Sequence, residues 1–245
     1  MKQHPLFIRS MSIKRDRMSQ AFDRYPFTVP VVRNLDELVF ESQVTFLIGE
    51  NGSGKSTLIE SLALACGFKA EGGSRHLQYE TAEDMSELHE ILRVVRGHKI
   101  PGDSYFLRAE SFFNVATEIE RRGLESYYGG RSLHRMSHGE SFFTLINERF
   151  LGGGLYILDE PEAALSPTRQ LAMLTRMHEL VLDASQLIIA THSPILMAYP
   201  GAQILEIRDG ELHRVEYEQT EHFTVTRQFF LQRERMLRIL LEGAE

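Results

Sequence analysis

The stretch that most constrains this chain is Gly49-Glu50-Asn51-Gly52-Ser53-Gly54-Lys55-Ser56. It follows the apolar run Val44-Thr45-Phe46-Leu47-Ile48 and precedes Leu58, Ile59, Leu62 and Ala65 at helical spacing. Few architectures accept a buried strand that ends in a glycine-rich turn and opens a helix. The glycines let the backbone curl until its N–H groups face one anion, and the helix N-terminus adds its dipole. A phosphate chain is the anion that suits such a turn, with Gly49 to Thr57 as its binding residues. Lys55 would bring a point charge to the outer phosphates, and the Ser56 hydroxyl would bind Mg²⁺.

A second piece of the same chemistry lies downstream. Leu155-Tyr156-Ile157-Leu158-Asp159 is four apolar residues and then an acid, followed by Glu160. A carboxylate at the carboxyl end of a buried strand beside such a turn can hold Mg²⁺, which is the Walker B role, given to Asp159. Glu160, one residue on, points elsewhere and is placed to take a proton from an attacking water.

Composition narrows the class. The 245 residues hold 27 Lys+Arg against 34 Asp+Glu, for a net charge of −7. This argues against a wholly basic nucleic-acid binder and leaves room for a local basic patch. Cys66 is the only cysteine, so no internal disulfide forms and a reducing, cytoplasmic location is expected. The N-terminus opens no apolar run of signal-peptide length. Ala184 to Leu205 carries no Asp, Glu, Lys or Arg, but His192, Pro194, Pro200 and Gly201 interrupt it, so it reads as strand, turn, short helix and strand rather than a membrane span. The ten histidines form no metal-ligand cluster: His134 and His138 are four apart, but a helix-capping serine lies between them.

The remaining pattern is α/β. Leu6 to Ile8, Val29 to Val32 and Leu38 to Phe40 read as N-terminal antiparallel strands. Gly67 to Thr81 reads as a loop, and Ala82 to Arg96 as an amphipathic helix carrying Met85, Leu88, Leu92 and Val95. Tyr105 to Arg108 reads as a strand, Phe112 to Arg122 as a helix, and Gly123 to Arg135 as a loop. Ser137-His138-Gly139-Glu140 is S-x-x-E, a capping box, before Phe142, Phe143, Leu145 and Ile146. Ser166-Pro167 opens a helix, with serine suited to the cap and proline to the first turn. Leu187 to Ala190 is a buried strand, and Asp209-Gly210 marks a hairpin between Ile204–Ile207 and Leu212–Val215. Residues 226–242 read as one C-terminal helix, with Phe230, Leu237 and Leu241 in a stripe and Arg227, Arg233, Arg235 and Arg238 as basic positions. The expectation is a single domain over 1–245: a P-loop NTPase with a mostly parallel sheet flanked by helices, N-terminal antiparallel strands and a small helical subdomain, inserted at 68–135.

The order of these pieces resembles the ABC (ATP-binding-cassette) ATPase superfamily. The run Asp159-Glu160-Pro161-Glu162-Ala163-Ala164-Leu165-Ser166-Pro167 and the turn Thr191-His192-Ser193-Pro194 resemble its soluble branch akin to RecF and SMC proteins. The resemblance covers roughly Val44 to Ile207. It implies Mg²⁺-dependent ATP hydrolysis by two subunits that sandwich ATP head to tail, with DNA or a protein as a further partner. Ser137, His138, Gly139 and Glu140 would form the signature segment that closes the partner's site, with His138 where transporter signatures carry glycine. Glu160, Lys55 and His192 become the catalytic set, His192 as the γ-phosphate switch. Ser166 stands where many relatives have the D-loop aspartate. The Q-loop glutamine is absent, and Ala109 or Glu110 occupies its place, Glu110 as a candidate Mg²⁺ contact through water. Tyr25 and Phe27 are candidates for stacking on adenine, or for the core.

No sustained heptad run is present, so neither a long coiled-coil arm nor an appended nuclease domain is expected. Three other readings stay open: the ATPase subunit of a membrane transporter, an ATP-dependent docking switch without hydrolysis, and, more distantly, a P-loop kinase.

Overall fold

A strand buried on both faces should be apolar at nearly every position, and Val44–Gly49 (β3) is buried at all six. In the computed structural model, which describes residues 4–15, 25–74 and 88–242, β3 lies inside a six-stranded sheet. Its neighbours are Gln186–Ala190 (β7) and Gln203–Arg208 (β8), both parallel to it. Gly154–Asp159 (β6) follows beyond β7, then Asp103–Arg108 (β5) at one edge. Glu211–Val215 (β9) closes the other edge antiparallel to β8, across the Asp209-Gly210 turn, where both residues take positive φ.

Side chains alternate across this sheet. Phe46, Ile48, Tyr156, Leu158, Leu187 and Ile189 pack on one face against helices Phe112–Arg121 (α4), His138–Arg149 (α5) and Pro167–Leu182 (α6). Leu47, Leu155, Ile157, Ile188 and Ala190 pack on the other against helix Lys55–Ala65 (α2). A second sheet covers that side. Ile8–Ile13 (β1) pairs antiparallel with Glu37–Val39 (β2) and with Leu92–Arg96 (β4). Gln186 joins the two sheets: its Oε1 accepts from the N–H groups of Phe7 and Ile8, and its Nε2 donates to the Ile8 carbonyl, each at 2.9 Å. The fold is therefore the expected mixed α/β one, with a mostly parallel central sheet, flanking helices and an antiparallel N-terminal sheet.

Four local expectations change. Val29 to Val32 is not a strand: Pro30 starts the short helix Pro30–Asn34 (α1), a position where its missing N–H is no loss. Within 82–96, residues 82–87, Met85 among them, lie outside the described residues, as do 75–81 of the expected loop. The rest is one helical turn, Leu88–Ile91 (α3), and then β4, because the open edge of β1 captures the β-branched Val94-Val95. Within 68–135, β4 joins the three-stranded sheet and β5 the six-stranded one. The tail, which follows the short helix Pro194–Met197 (α7), is two helices, Glu221–Leu231 (α8) and Arg233–Glu242 (α9), broken at Gln232; Phe230 and Leu241 of the expected stripe are exposed. Gly123 to Arg135 holds two 3₁₀ turns that bury Tyr128 and Leu133. No helix among the described residues is long and apolar enough to cross a membrane.

Candidate phosphate and metal site

Strand register assembles the site. Arg108, Asp159, Ala190 and Leu47 fall in one row across β5, β6, β7 and β3. The residues just beyond that row, Glu160, His192 and the turn after Gly49, therefore share the carboxyl edge of the sheet, where open α/β folds bind their ligands.

The turn itself needs its glycines. Gly49 has φ +145°, and a Cβ there would sit 2.7 Å from the Ile207 carbonyl oxygen. Gly54, the N-cap of α2 with φ +101°, would drive a Cβ to 2.6 Å from Val31 Cγ1. The α1 turn thus packs directly under the loop. Lys55 is buried, and its Nζ donates to the carbonyls of Gly49 at 2.8 Å and Glu50 at 2.9 Å, which holds the ammonium over the loop. Burial lowers its pKa, and the nearby carboxylates of Glu160, Asp159 and Glu162 oppose that shift. Ser53 Oγ is buried with no hydrogen-bond partner among the described residues. An orphaned hydroxyl in a glycine turn at the start of α2, with a fixed cation on the same turn, fits a phosphate group.

The metal corner is formed by Ser56 and Asp159. Ser56 Oγ donates to Asp159 Oδ1 at 3.2 Å. Burial pushes the Asp159 carboxyl up to about 6, against the lowering effect of Arg108 and of Ser56. A buried carboxylate next to a helix-borne hydroxyl fits Mg²⁺, which takes few protein ligands and completes its shell with water and phosphate. No cluster of three His, Cys, Asp or Glu able to hold a metal occurs among the described residues, as such a shared site requires none.

Glu160 takes a left-handed backbone, φ 49° and ψ 52°, while its N–H donates to the Ala190 carbonyl at 3.0 Å. A non-glycine residue there costs about 1–3 kcal/mol, and such strain collects at functional sites. The conformation turns Glu160 toward His192, whose Nε2 lies 3.7 Å from Glu160 Oε1. Ser56, Ala109, Glu110, His138, Asp159, Glu160 and Ala163 line one cavity of about 180 Å³. His138, expected to face a partner's site, thus lines the cavity of its own chain. Glu110 sits exposed on this rim and pairs with Arg108 at 3.3 Å.

At the signature segment, Ser137 caps α5. Its N–H and Oγ donate to Glu140 Oε2 at 3.0 and 2.8 Å, so the hydroxyl is engaged rather than free. These bonds lower the Glu140 pKa. Gly139 is tight within its own chain: a Cβ would lie 2.7 Å from the Ala164 carbonyl oxygen and 2.6 Å from Arg169 Nη1. Ser166 caps α6, accepting from the Arg169 N–H at 3.4 Å. Of the two aromatic candidates, Phe27 is a core residue, whereas Tyr25 is exposed, with its hydroxyl 3.3 Å from Thr57 Oγ1.

The chain is similar to several known proteins. The AAA domain family profile matches residues 26–142. The pyoverdine export ATP-binding/permease protein PvdT of Pseudomonas fluorescens is 30% identical over 205 residues, 75% of this chain and 31% of that protein. The chain is thus similar to the ATP-binding part of ABC-type export proteins. The macrolide export ATP-binding/permease protein MacB of Shigella dysenteriae is 26% identical over 210 residues, 76% of this chain and 31% of that protein. The chain spans under a third of the length of either relative. The SMC head domain from Thermotoga maritima aligns with a TM-score of 0.46 at 16% identity, covering 86% of this chain and 100% of that one.

Three further residues belong to this site. Arg108 reaches Glu60 at 3.4 Å, Asp159 at 3.7 Å and the Ala70 carbonyl at 3.2 Å, and so anchors the metal corner to α2. Glu162 is half-buried and accepts from the His192 N–H at 2.5 Å, pinning the end of β7 to the loop after β6; burial raises its pKa. His222 of α8 places Nε2 3.3 Å from His192 Nδ1. The sequence hint for Arg108 is that a charged residue closes the apolar run Tyr105 to Leu107. Glu162 and His222 are joined to the site only by the folded chain.

Proposed function

We propose that this chain binds Mg-ATP and hydrolyses it, two copies closing head to tail around the nucleotides, as a soluble ATPase of the RecF/SMC-like branch. The observation that carries this reading is the convergence of Lys55, Ser56, Asp159, Glu160 and His192 from β3, β6 and β7 on one sheet edge. Lys55 and the loop N–H groups bind and orient the β- and γ-phosphates. Ser56 and Asp159 would hold Mg²⁺, which would supply charge neutralisation to the phosphates when bound. Glu160 orients the attacking water and accepts its proton; His192 contacts the γ-phosphate. Ser137 and Gly139 of the second copy complete the cage, with Glu140 turning from Ser137 toward Arg169, which it already approaches at 3.5 Å. Glu160 favours hydrolysis over a pure docking switch.

The test is phosphate release from Mg-ATP by the wild-type chain and by Glu160→Gln. Turnover that Glu160→Gln abolishes, with nucleotide binding kept, is the expected result. Equal turnover in the two overturns the assignment.

A second reading, the energy module of an exporter, is favoured by the ATP-binding/permease names of the relatives. The Asp159-to-Pro167 run, the Thr191-to-Pro194 turn and His138 in place of a signature glycine favour the soluble branch. Stable co-purification with an integral membrane protein would decide for the exporter.

A further inference from the structure

The phosphate edge has a wall that the P-loop chemistry does not use. Helix α8 places Glu221, His222, Val225 and Thr226 along a cavity of about 890 Å³ whose opposite side is Gly49 to Ser53 and His192. Within it the two imidazoles meet, ring centroids 5.5 Å apart and planes at 47°, with His192 Nδ1 and His222 Nε2 at hydrogen-bond distance. His192 Nε2 and His222 Nδ1 are both buried without a hydrogen-bond partner among the described residues.

Two neutral imidazoles in such contact share one proton between the facing nitrogens, and the choice of donor fixes both tautomers. If His192 Nδ1 carried the proton, its Nε2 lone pair would face the Glu160 carboxylate 3.7 Å away, an acceptor against an acceptor. The opposite arrangement removes that repulsion: His222 Nε2–H donates, His192 Nδ1 accepts, and His192 presents Nε2–H toward Glu160 and the phosphate edge. Burial lowers both histidine pKa values, so the neutral pair is the relevant one near pH 7.

We propose that His222 is a positioning residue: it fixes the His192 tautomer so that an Nε2–H donor faces the terminal phosphate, and so makes the C-terminal helix α8 part of the turnover machinery. The proposal deepens the ATPase reading and rests on it for the turnover step, but the tautomer itself does not depend on nucleotide.

The experiment uses the full chain and three proteins: wild type, His222→Phe, which keeps a ring and loses the donor, and His222→Gln, which keeps an N–H donor. Steady-state Mg-ATP kinetics, melting temperature and the ¹⁵N-resolved tautomer of His192 are measured on each. The expected result is Nε2–H on His192 in the wild type and a fall in kcat of about tenfold or more in His222→Phe. KM should stay within about twofold, and His222→Gln should recover most of the rate. A packing role alone would lower the melting temperature and move KM without rescue by glutamine, and that pattern overturns the proposal. So does an unchanged kcat in a folded His222→Phe protein. If the wild type shows no ATP turnover, the ATPase reading fails, and the tautomer decides what remains: Nδ1–H on His192 overturns the positioning role, whereas Nε2–H that is lost in His222→Phe upholds it.

Discussion

Ser56 Oγ and Asp159 Oδ1 meet at 3.2 Å, joining the first turn of α2 to the carboxyl end of β6. The contact brings a helix hydroxyl and a buried carboxylate, 103 residues apart in the chain, to the corner where a divalent cation would sit. Its energetics give the first prediction. The folded pKa of Asp159, about 6, lies above its ordinary 3.8, so the folded state binds more protons in that window. Stability therefore falls as pH rises from about 4 to 6, and the cost is fully present at pH 7. A shift of about two units corresponds to about 3 kcal/mol. Asp159→Asn is expected to raise the melting temperature at pH 7.5 in EDTA, with the gain shrinking toward pH 4, while Mg²⁺-dependent turnover is lost. An unchanged or lower melting temperature at pH 7.5 would count against a strained corner.

The glycines of the turn should separate by environment. Gly54→Ala puts a methyl into Val31 Cγ1 and Val29 Cγ1 at positive φ. It is expected to cost about 2–3 kcal/mol in a urea titration. Gly52 also has positive φ, but its Cβ would meet nothing within 4 Å. Gly52→Ala should cost about 1 kcal/mol, the backbone strain alone.

Tyr25 and Phe27 lie two residues apart and should behave oppositely. Phe27 is 1% exposed, and Phe27→Ala is expected to lose about 3–5 kcal/mol of stability. Tyr25 is 67% exposed beside Thr57, and Tyr25→Ala should leave the melt nearly unchanged. It should weaken ATP several-fold and an adenine-free triphosphate not at all, measured by competition for binding. Equal weakening of the two ligands would remove Tyr25 from the adenine contact.

What the sequence made legible was local chemistry. The glycine turn, the caps at Ser137 and Ser166 and the Asp209-Gly210 hairpin each declare themselves within a few residues. So do the unbroken apolar runs of β3, β6 and β7, buried at every position. What it hid was non-local. Leu92 to Arg96 is apolar enough for either helix or strand, and only the edge of β1, some eighty residues earlier, decides. Val31 and Val32 read as a strand until Pro30 is seen to start a turn beneath Gly54. The Gln186 bridge to Phe7 and Ile8, and the contacts of Glu162 and His222 with His192, depend on registers that no short window contains.

Ser137 has a structural duty that a functional one must exceed. As the cap of α5 its replacement by alanine should cost about 1 kcal/mol. If it also completes the second copy's phosphate cage, Ser137→Ala lowers ATP-dependent association well beyond that stability loss, as read by chemical denaturation alongside sedimentation with Mg-ATP. A stability loss alone would leave Ser137 a helix cap.

The most direct measurement is the solution mass of Glu160→Gln by light scattering after gel filtration, with and without Mg-ATP. Hydrolysis is blocked in this variant, so a nucleotide sandwich should persist: the expected result is monomer mass without ATP, twice that mass with it, and monomer again when Ser137→Arg is added. A protein that binds ATP and keeps one mass throughout would contradict the head-to-tail ATPase.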